Sequence, residues 1–331
     1  MKDSADIKKM NKDKIRRILW KGGQYTKQGI ATKTGLSVAT CNTLLNEMNK
    51  DGEVIGVKHR LQEVGRSTVF YEIDESFESI LCVSFEVVQN KRMLECMIVS
   101  SLGNILEHWK TYHQYLEISV IIDNVAKIVE KFKNISRIMI GTPSIAEHGI
   151  ICHCDIQELE NESVVKKLEE QFQIPVYMEN DMHFKVYGYY KLHCEQEDIV
   201  TLANFPTHIM PGTASVHAGM IIKGHNQFAG MVGFLPYGMS IQQMLLQLEP
   251  SSCLPIITKA AASIIAIINP TIIVFTGDLL SEKNICVIQE ECKKIIPKEY
   301  LPKFIYEKDI SSSYLTGMYQ KALDLKGEFV I

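Results

Sequence analysis

The sequence has no uninterrupted apolar stretch of membrane-spanning length. Its longest apolar run, AAASIIAIINPTIIVF, is broken by Asn269-Pro270, and no apolar run follows the basic start. Neither a membrane span nor a signal peptide is expected, which places the protein in the cytoplasm. A disulfide framework is missing too. The nine cysteines are an odd number at irregular spacing, and Cys82, Cys96 and Cys286 lie in apolar runs, as reduced core thiols do. Glycine is absent between Gly65 and Gly103. That absence excludes, in this segment, a loop whose backbone N–H groups close around phosphates, because bulky side chains hold the main chain off.

What is present describes a globular chain with a large core. The 331 residues, 46% apolar and 22% charged, suit two or three domains. The net charge of −4 is unevenly spread: residues 1–70 hold 14 Lys+Arg against 7 Asp+Glu, and the remainder holds 21 against 32. A basic front on an acidic body is expected when only the front must approach a polyanion.

The front reads as a winged helix-turn-helix. NKDKIRRILW, residues 11–20, places Ile15, Ile18 and Leu19 on one helical face, and Gly22-Gly23 ends that helix. Thr26 is placed to cap a short second helix. The segment TKQGIATKTGLSVATCNTLLNEMNKDG then supplies small Ala31 where helices cross, Gly35 for a left-handed turn, Leu36 as a core plug and Ser37 as N-cap. In the third helix Val38, Cys41, Leu44, Leu45 and Met48 are expected to form the buried stripe. Ser37, Ala39, Thr40, Asn42, Thr43 and Asn46 are left facing outward. Short polar side chains of this kind suit base edges and phosphate oxygens in a major groove. After Gly52, two strand-like runs flank a basic turn with Lys58, His59, Arg60 and Arg66. This is a candidate wing, with Arg66 beside Gly65 placed for a minor groove; a plain hairpin with exposed cations is the alternative. Residues 11–73 are therefore expected to bind double-stranded operator DNA, against the alternative of a protein-interaction winged helix.

At this point the order of features resembles the ROK family, whose repressors set a winged helix ahead of a sugar-kinase-like body. IATKTGLSVATCNTLLNEMNKDGEVI and GRS…FYEI look like that family's DNA-binding head, although Ser67 stands where the wing usually has proline. Beyond Ile80, strand-like runs alternate with helices near residues 120–132 and 163–172, which predicts an α/β body. Four segments resemble the family's blocks: ISRIMIGTPSIAEHGII, IPVYMENDMHFKVYGYY, GMIIKGHNQFAGMVGF and INPTIIVFTGDLL. The implied fold is α/β, a winged helix-turn-helix followed by a two-lobed, actin-like, sugar-kinase-like (ribonuclease H-like) body. The expected boundaries are 1–75 for the head, 76–190 for the first lobe, completed by a C-terminal helix over 311–331, and 191–310 for the second lobe.

The resemblance also bears on chemistry. Asn180-Asp181 matches the pair with which family kinases bind sugar hydroxyls and accept the attacking hydroxyl's proton. Phosphoryl transfer, however, depends on loops that hold the nucleotide. Where the family has Asp-x-Gly-Gly-Thr this chain reads SFEVVQNKRM. Where the family has a second glycine-rich loop it reads PGTASVHAG, with Ser215 and His217 at glycine positions. Met231 and Phe234 replace the family's sugar-gripping Glu and its zinc-ligating His, and Cys253 alone remains of the zinc cysteines. Cys152-His153-Cys154 offers three adjacent ligands without a second pair, as a strand edge also does.

These features imply a transcriptional regulator, a repressor of carbohydrate genes, with no kinase activity, cofactor or structural metal. A small-molecule sugar effector is expected against Asn180, Asp181, His217, Met231 and Phe234, with His225 nearby. For Asp181 the alternative is a helix cap without a ligand. A homodimer or homotetramer is implied by the resemblance. The competing functions are an active ROK sugar kinase with an added DNA-binding domain, and a dimeric DNA-binding protein that senses no effector.

Overall fold

The computed structural model describes residues 4–59, 68–88, 91–152, 154 and 156–328. The chain opens with helix α1 (Ser4–Leu19), strand β1 (Tyr25–Thr26), helix α2 (Lys27–Thr34) and helix α3 (Val38–Lys50). Strands β2 (Val54–His59) and β3 (Thr68–Ile73) follow, and the three strands pair in the order β1-β3-β2. Local chemistry sets these limits. Thr26 accepts from the Gly29 N–H to start α2, Gly35 ends it at φ +71, and Ser37 accepts from the Thr40 N–H to start α3. Ile15, Leu19, Ile30, Cys41, Leu44, Leu45 and Met48 close one core with Val54, Tyr71 and Ile73.

Two sequence expectations for this unit differ from the structure. Helix α1 begins at Ser4 rather than Asn11, because its polar first turns are held by Lys8–Glu47 at 2.9 Å and Lys12–Glu47 at 3.5 Å on α3, which apolar spacing does not reveal. Val38 is 43% exposed: it is the first helical residue, and the buried stripe begins one turn later at Cys41. At the base of the unit Arg16 makes a two-pronged ion pair with Glu53, at 2.5 and 2.9 Å, and a 2.6 Å contact to Asp13. Burial alone would lower the Arg16 guanidinium, but these carboxylates outweigh it and hold it above its ordinary value.

The rest of the chain repeats one topology. The first copy comprises β4 (Ser79–Val88), β5 (Lys91–Ser100), β6 (Ile105–His113), α4 (Ile118–Lys131) and β7 (Ile135–Thr142). After a small hairpin of β8 (Ile145–Glu147) and β9 (Ile150–Cys152) it continues with α5 (Val164–Phe172) and β10 (Val176–Asn180), and then α6 (Asp181–His193). Its sheet runs β10-β7-β4-β5-β6, with β4, β5 and β6 antiparallel and β7 and β10 parallel to β4.

The second copy has β11 (Ile199–Asn204), β12 (Gly212–His217) and β13 (Met220–Ile221), then α7 (Ile241–Gln247) and α8 (Leu254–Ile268). It ends with β14 (Ile272–Thr276), α9 (Glu282–Lys293), β15 (Lys303–Tyr306) and α10 (Ser311–Glu328). The order β13-β12-β11-β14-β15 repeats the pattern of the first sheet. Isoleucine-rich strands buried on both faces explain why parallel pairing is favoured in each.

Helices α6 and α10 join the two copies. They cross so closely that a Cβ on Gly188 would lie 1.7 Å from the Ser313 carbonyl oxygen, and one on Gly317 would lie 1.9 Å from that of Phe184. Met318, Tyr319, Ala322 and Leu323 of α10 pack with Ile80, Cys82, Met97 and Val99 of the first sheet, and Trp20 packs against the same cluster. Trp20 also borders the N-terminal core. One side chain thus touches both cores.

Among the described residues no helix is long and apolar enough to cross a membrane. The nine cysteines are free thiols; Cys82 and Cys96 are buried, but Cys286, expected in a core, is exposed on α9.

Candidate functional site

Helix α3 presents its outward face as a row of small groups. Ser37, Ala39, Thr43 and Asn46 are exposed, while Thr40 and Asn42 are half-buried. Part of this face is occupied internally. The Thr40 and Ser37 hydroxyls are 2.8 Å apart, Thr43 Oγ1 donates to the Ala39 carbonyl at 3.2 Å, and Lys27 Nζ donates to Asn42 Oδ1. Lys58 is exposed on β2 opposite Val69, and His59 packs edge-on to Phe70 at 5.2 Å. Arg60 and Arg66 lie outside the described residues.

The second candidate is the cleft between the two sheets, where β10 ends and α6 begins. A cavity of about 240 Å³ is lined there by Asn180, Asp181 and His183 on one side, and by Asn204, Gln227, Met231 and Phe234 on the other. The structure brings Asn180, Asp181, Met231 and Phe234 together, as the sequence suggested. His217 is not among them. The stretch read as a degraded phosphate loop is strand β12, and its register pairs Gly212 with Asn204 at the cleft end but His217 with Ile199 at the far end. Five residues of extended strand put His217 roughly 17 Å from the cleft end. It is exposed at the hairpin leading to β13. His225 is exposed in the turn after β13 and does not line this cavity.

The expected cap is also reassigned. Asn180, not Asp181, caps α6: its Oδ1 accepts from the Met182 N–H at 2.9 Å while its Nδ2 donates to the Ser144 carbonyl at 3.0 Å. Asp181 is the first residue inside the helix, and its Oδ2 accepts from Lys185 Nζ at 2.5 Å. Desolvation alone would lower the Lys185 ammonium, but Asp181 and Glu86 more than offset it and hold it above the usual lysine value. Lys185 also lies over the Tyr314 ring of α10, 5.2 Å from its centroid.

Sequence reasoning missed a buried cluster beside this pair. Glu179, 3% exposed, accepts from His183 Nδ1 at 2.8 Å, from the Tyr177 hydroxyl at 2.8 Å and from Lys223 Nζ. Burial would raise its carboxyl, but the bond from His183 and the charge of Lys223 bring it down to about 2. The four-residue spacing of Glu179, near the end of β10, and His183, in the first turn of α6, was the available signal.

A larger groove of about 1250 Å³ continues from the cleft past Glu86, Lys185, Gly277, Asp278 and Lys308. Two features make it a poor cradle for phosphates. Val88 pairs with Lys91, and the segment joining β4 to β5 contains no glycine that would let its main chain approach a phosphate closely. The Asp278 carboxylate is occupied by the Thr207 N–H and hydroxyl, each at 2.8 Å. No group of three His, Cys, Asp or Glu side chains is gathered for a metal among the described residues. Cys152 ends β9, Cys154 Sγ accepts from the Ile156 N–H at 3.3 Å, and His153 lies outside the described residues.

Comparison with known proteins agrees with this architecture. Residues 92–245 match the sequence model described as the ROK family. A candidate xylose repressor from Caldicellulosiruptor sp. (strain Rt8B.4) is 23% identical over 248 residues, which is 71% of this chain. The match spans 60% of that relative's own length. Among solved structures, a ROK family transcriptional regulator, a homologue of the E. coli MLC protein, superposes with a TM-score of 0.72 at 14% identity over 97% of this chain and 99% of its own. The ROK hexokinase of Thermus thermophilus superposes with a TM-score of 0.59 at 14% identity, over 75% of this chain and 99% of its own. These likenesses fix the fold as the mixed α/β, sugar-kinase-like one, and the sequence match marks residues 92–245 as a ROK family domain.

Proposed function

We propose that the protein is a sugar-responsive transcriptional regulator, a repressor of carbohydrate genes, whose winged helix-turn-helix head binds operator DNA and whose body is a sugar-kinase fold without kinase activity. In this reading residues 1–75 are the head, 76–190 and 311–331 the first lobe, and 191–310 the second. The observation that carries it is the outward row on α3. A capped helix held across α2 and presenting Ser37, Ala39, Thr43 and Asn46 to solvent, beside a hairpin bearing Lys58, matches the docking of a recognition helix and its wing. The solved regulator's wider coverage, 97% of this chain against 75% for the hexokinase, supports the same reading because the difference is about the size of the head.

The glycine-free β4–β5 segment and the Lys185 ion pair that occupies Asp181 Oδ2 support the absence of kinase activity. Bulky side chains in that segment keep backbone N–H groups off a triphosphate, and positioning is nearly all of phosphoryl-transfer catalysis. A carbohydrate between the sheets would favour one lobe arrangement over another, and that preference is all an effector contributes to a switch. Helix α10 is suited to relay it, because Tyr314 near its start faces Lys185 in the cleft while its later turns join the cluster that supports Trp20. Two heads on a two-fold dimer would then read paired half-sites. The test is a gel-shift scan of the DNA upstream of the protein's own gene. A discrete shifted fragment supports the reading, and uniform weak binding to every fragment opposes it.

A further inference from the structure

The effector reading leaves open what kind of sugar the cleft accepts, and the side chains restrict it. Gln227 lines the cavity, and its Oε1 is buried without a hydrogen-bond partner among the described residues. It follows Asn226, and both hold left-handed backbone, at φ +53 and +59, unusual for two successive residues that are not glycine. The amide is therefore held at the cavity wall by a backbone that local preference does not favour. A buried acceptor without a donor is costly to the protein and favourable to a ligand that supplies one. A sugar hydroxyl both donates and accepts, so it satisfies either end of the amide.

Besides Gln227, the wall offers Asn204, His183 and the second oxygen of Asp181. Asn180 already spends both ends of its amide, and Asp181 Oδ2 is taken by Lys185. The rest of the wall is largely apolar, with Ile145, Ile209, Met210, Met231 and Phe234. The Phe234 ring of this wall is 52% exposed and lies 5.4 Å from that of Phe228, which is 50% exposed. A free hexose would bury several hydroxyls against these groups without partners, at a net cost, whereas an apolar substituent would gain from the same surfaces.

We propose that Gln227 determines effector specificity, its amide bonding a hydroxyl of a sugar that carries an apolar substituent, which lies against Met231 and Phe234. This rests on the effector reading of the cleft. The experiment is calorimetric titration and thermal shift of the full chain with glucose, galactose and xylose and with their phenyl glycosides, repeated on Gln227→Met and Phe234→Ala.

The expected result is that a phenyl glycoside binds at least tenfold more tightly than its parent sugar. Gln227→Met should weaken it roughly tenfold with no loss of melting temperature, since a merely structural glutamine would lower that temperature when replaced. Phe234→Ala, at an exposed position, should bring the glycoside toward the parent sugar's affinity and keeps the test open if Gln227→Met folds poorly. Free sugars binding as well as their glycosides, unaffected by either substitution, would overturn the inference while leaving the effector reading standing. No response to any sugar or glycoside would overturn both.

Discussion

Lys223, which follows the short strand β13 of the second sheet, donates a hydrogen bond to Glu179 at the end of β10 in the first sheet, closing an ion pair across the cleft. The same carboxylate holds His183 and Tyr177, so it is a buried charge fully engaged from both sides.

Its acidity predicts a pH dependence. The folded carboxyl sits at about 2, below the usual glutamate value of 4.5. The unfolded chain therefore takes up this proton first on acidification, and the contribution is complete above about pH 4.5 and lost as the pH falls toward about 2. Replacing Glu179 with Gln should cost on the order of 3 kcal/mol at neutral pH, a difference that narrows steadily below about pH 4.5. Urea unfolding of both proteins at neutral pH and at about pH 3 checks this; a constant difference would exclude Glu179 as its source.

The crossing of α6 and α10 predicts a steric limit. A methyl group at position 188 meets the Ser313 carbonyl at 1.7 Å, and both partners are backbone, so neither can rotate aside. Gly188→Ala should destabilise the body by about 3 kcal/mol or more, at or above the top of the usual overpacking cost. Wild-type unfolding midpoints for that variant would contradict so close a crossing of the two helices.

In the head, two kinds of contact should separate by substitution. Lys58→Ala is expected to weaken all duplexes alike and reduce the salt slope of binding by about one. Asn46→Ala, changing an exposed side chain on α3, should instead lower discrimination between operator and random DNA, by about 1–3 kcal/mol. Asn42, held by Lys27, is a weaker test because its loss also frees a lysine. Matched losses on both duplexes for the two variants would remove α3 from base recognition.

Trp20 offers a test of coupling. Because it borders both the head's core and the cluster that includes α10, Trp20→Ala should leave sugar binding intact while reducing the effect of sugar on DNA affinity. Unchanged coupling would mean the signal takes another route.

Much of this was legible in sequence. Gly35, Ser37 and Thr26 act locally, so their roles in turn and caps could be read without knowing the fold. Asn180 and Asp181 were found because they adjoin at a strand–helix junction. The misplacement of His217 has a different cause: which end of β12 meets the cleft is set by antiparallel register with β11, a long-range pairing that no local pattern specifies. Val38 shares a helical face with Cys41, and only the extent of neighbouring packing decides that it stays exposed. Lys223 and Gln227 stand in a glycine-flanked turn, and their meeting with Glu179 and the cavity wall depends on how the two sheets close.

The most direct measurement is fluorescence anisotropy of the full chain on a duplex from upstream of its own gene, titrated with sugars and glycosides against a random duplex. Binding to the upstream duplex should be at least 10³-fold tighter, a typical lower limit of specific over non-specific affinity, and should change tenfold or more when a cleft ligand is added. Equal affinity for the two duplexes, unchanged by every ligand that raises the protein's melting temperature, would contradict it.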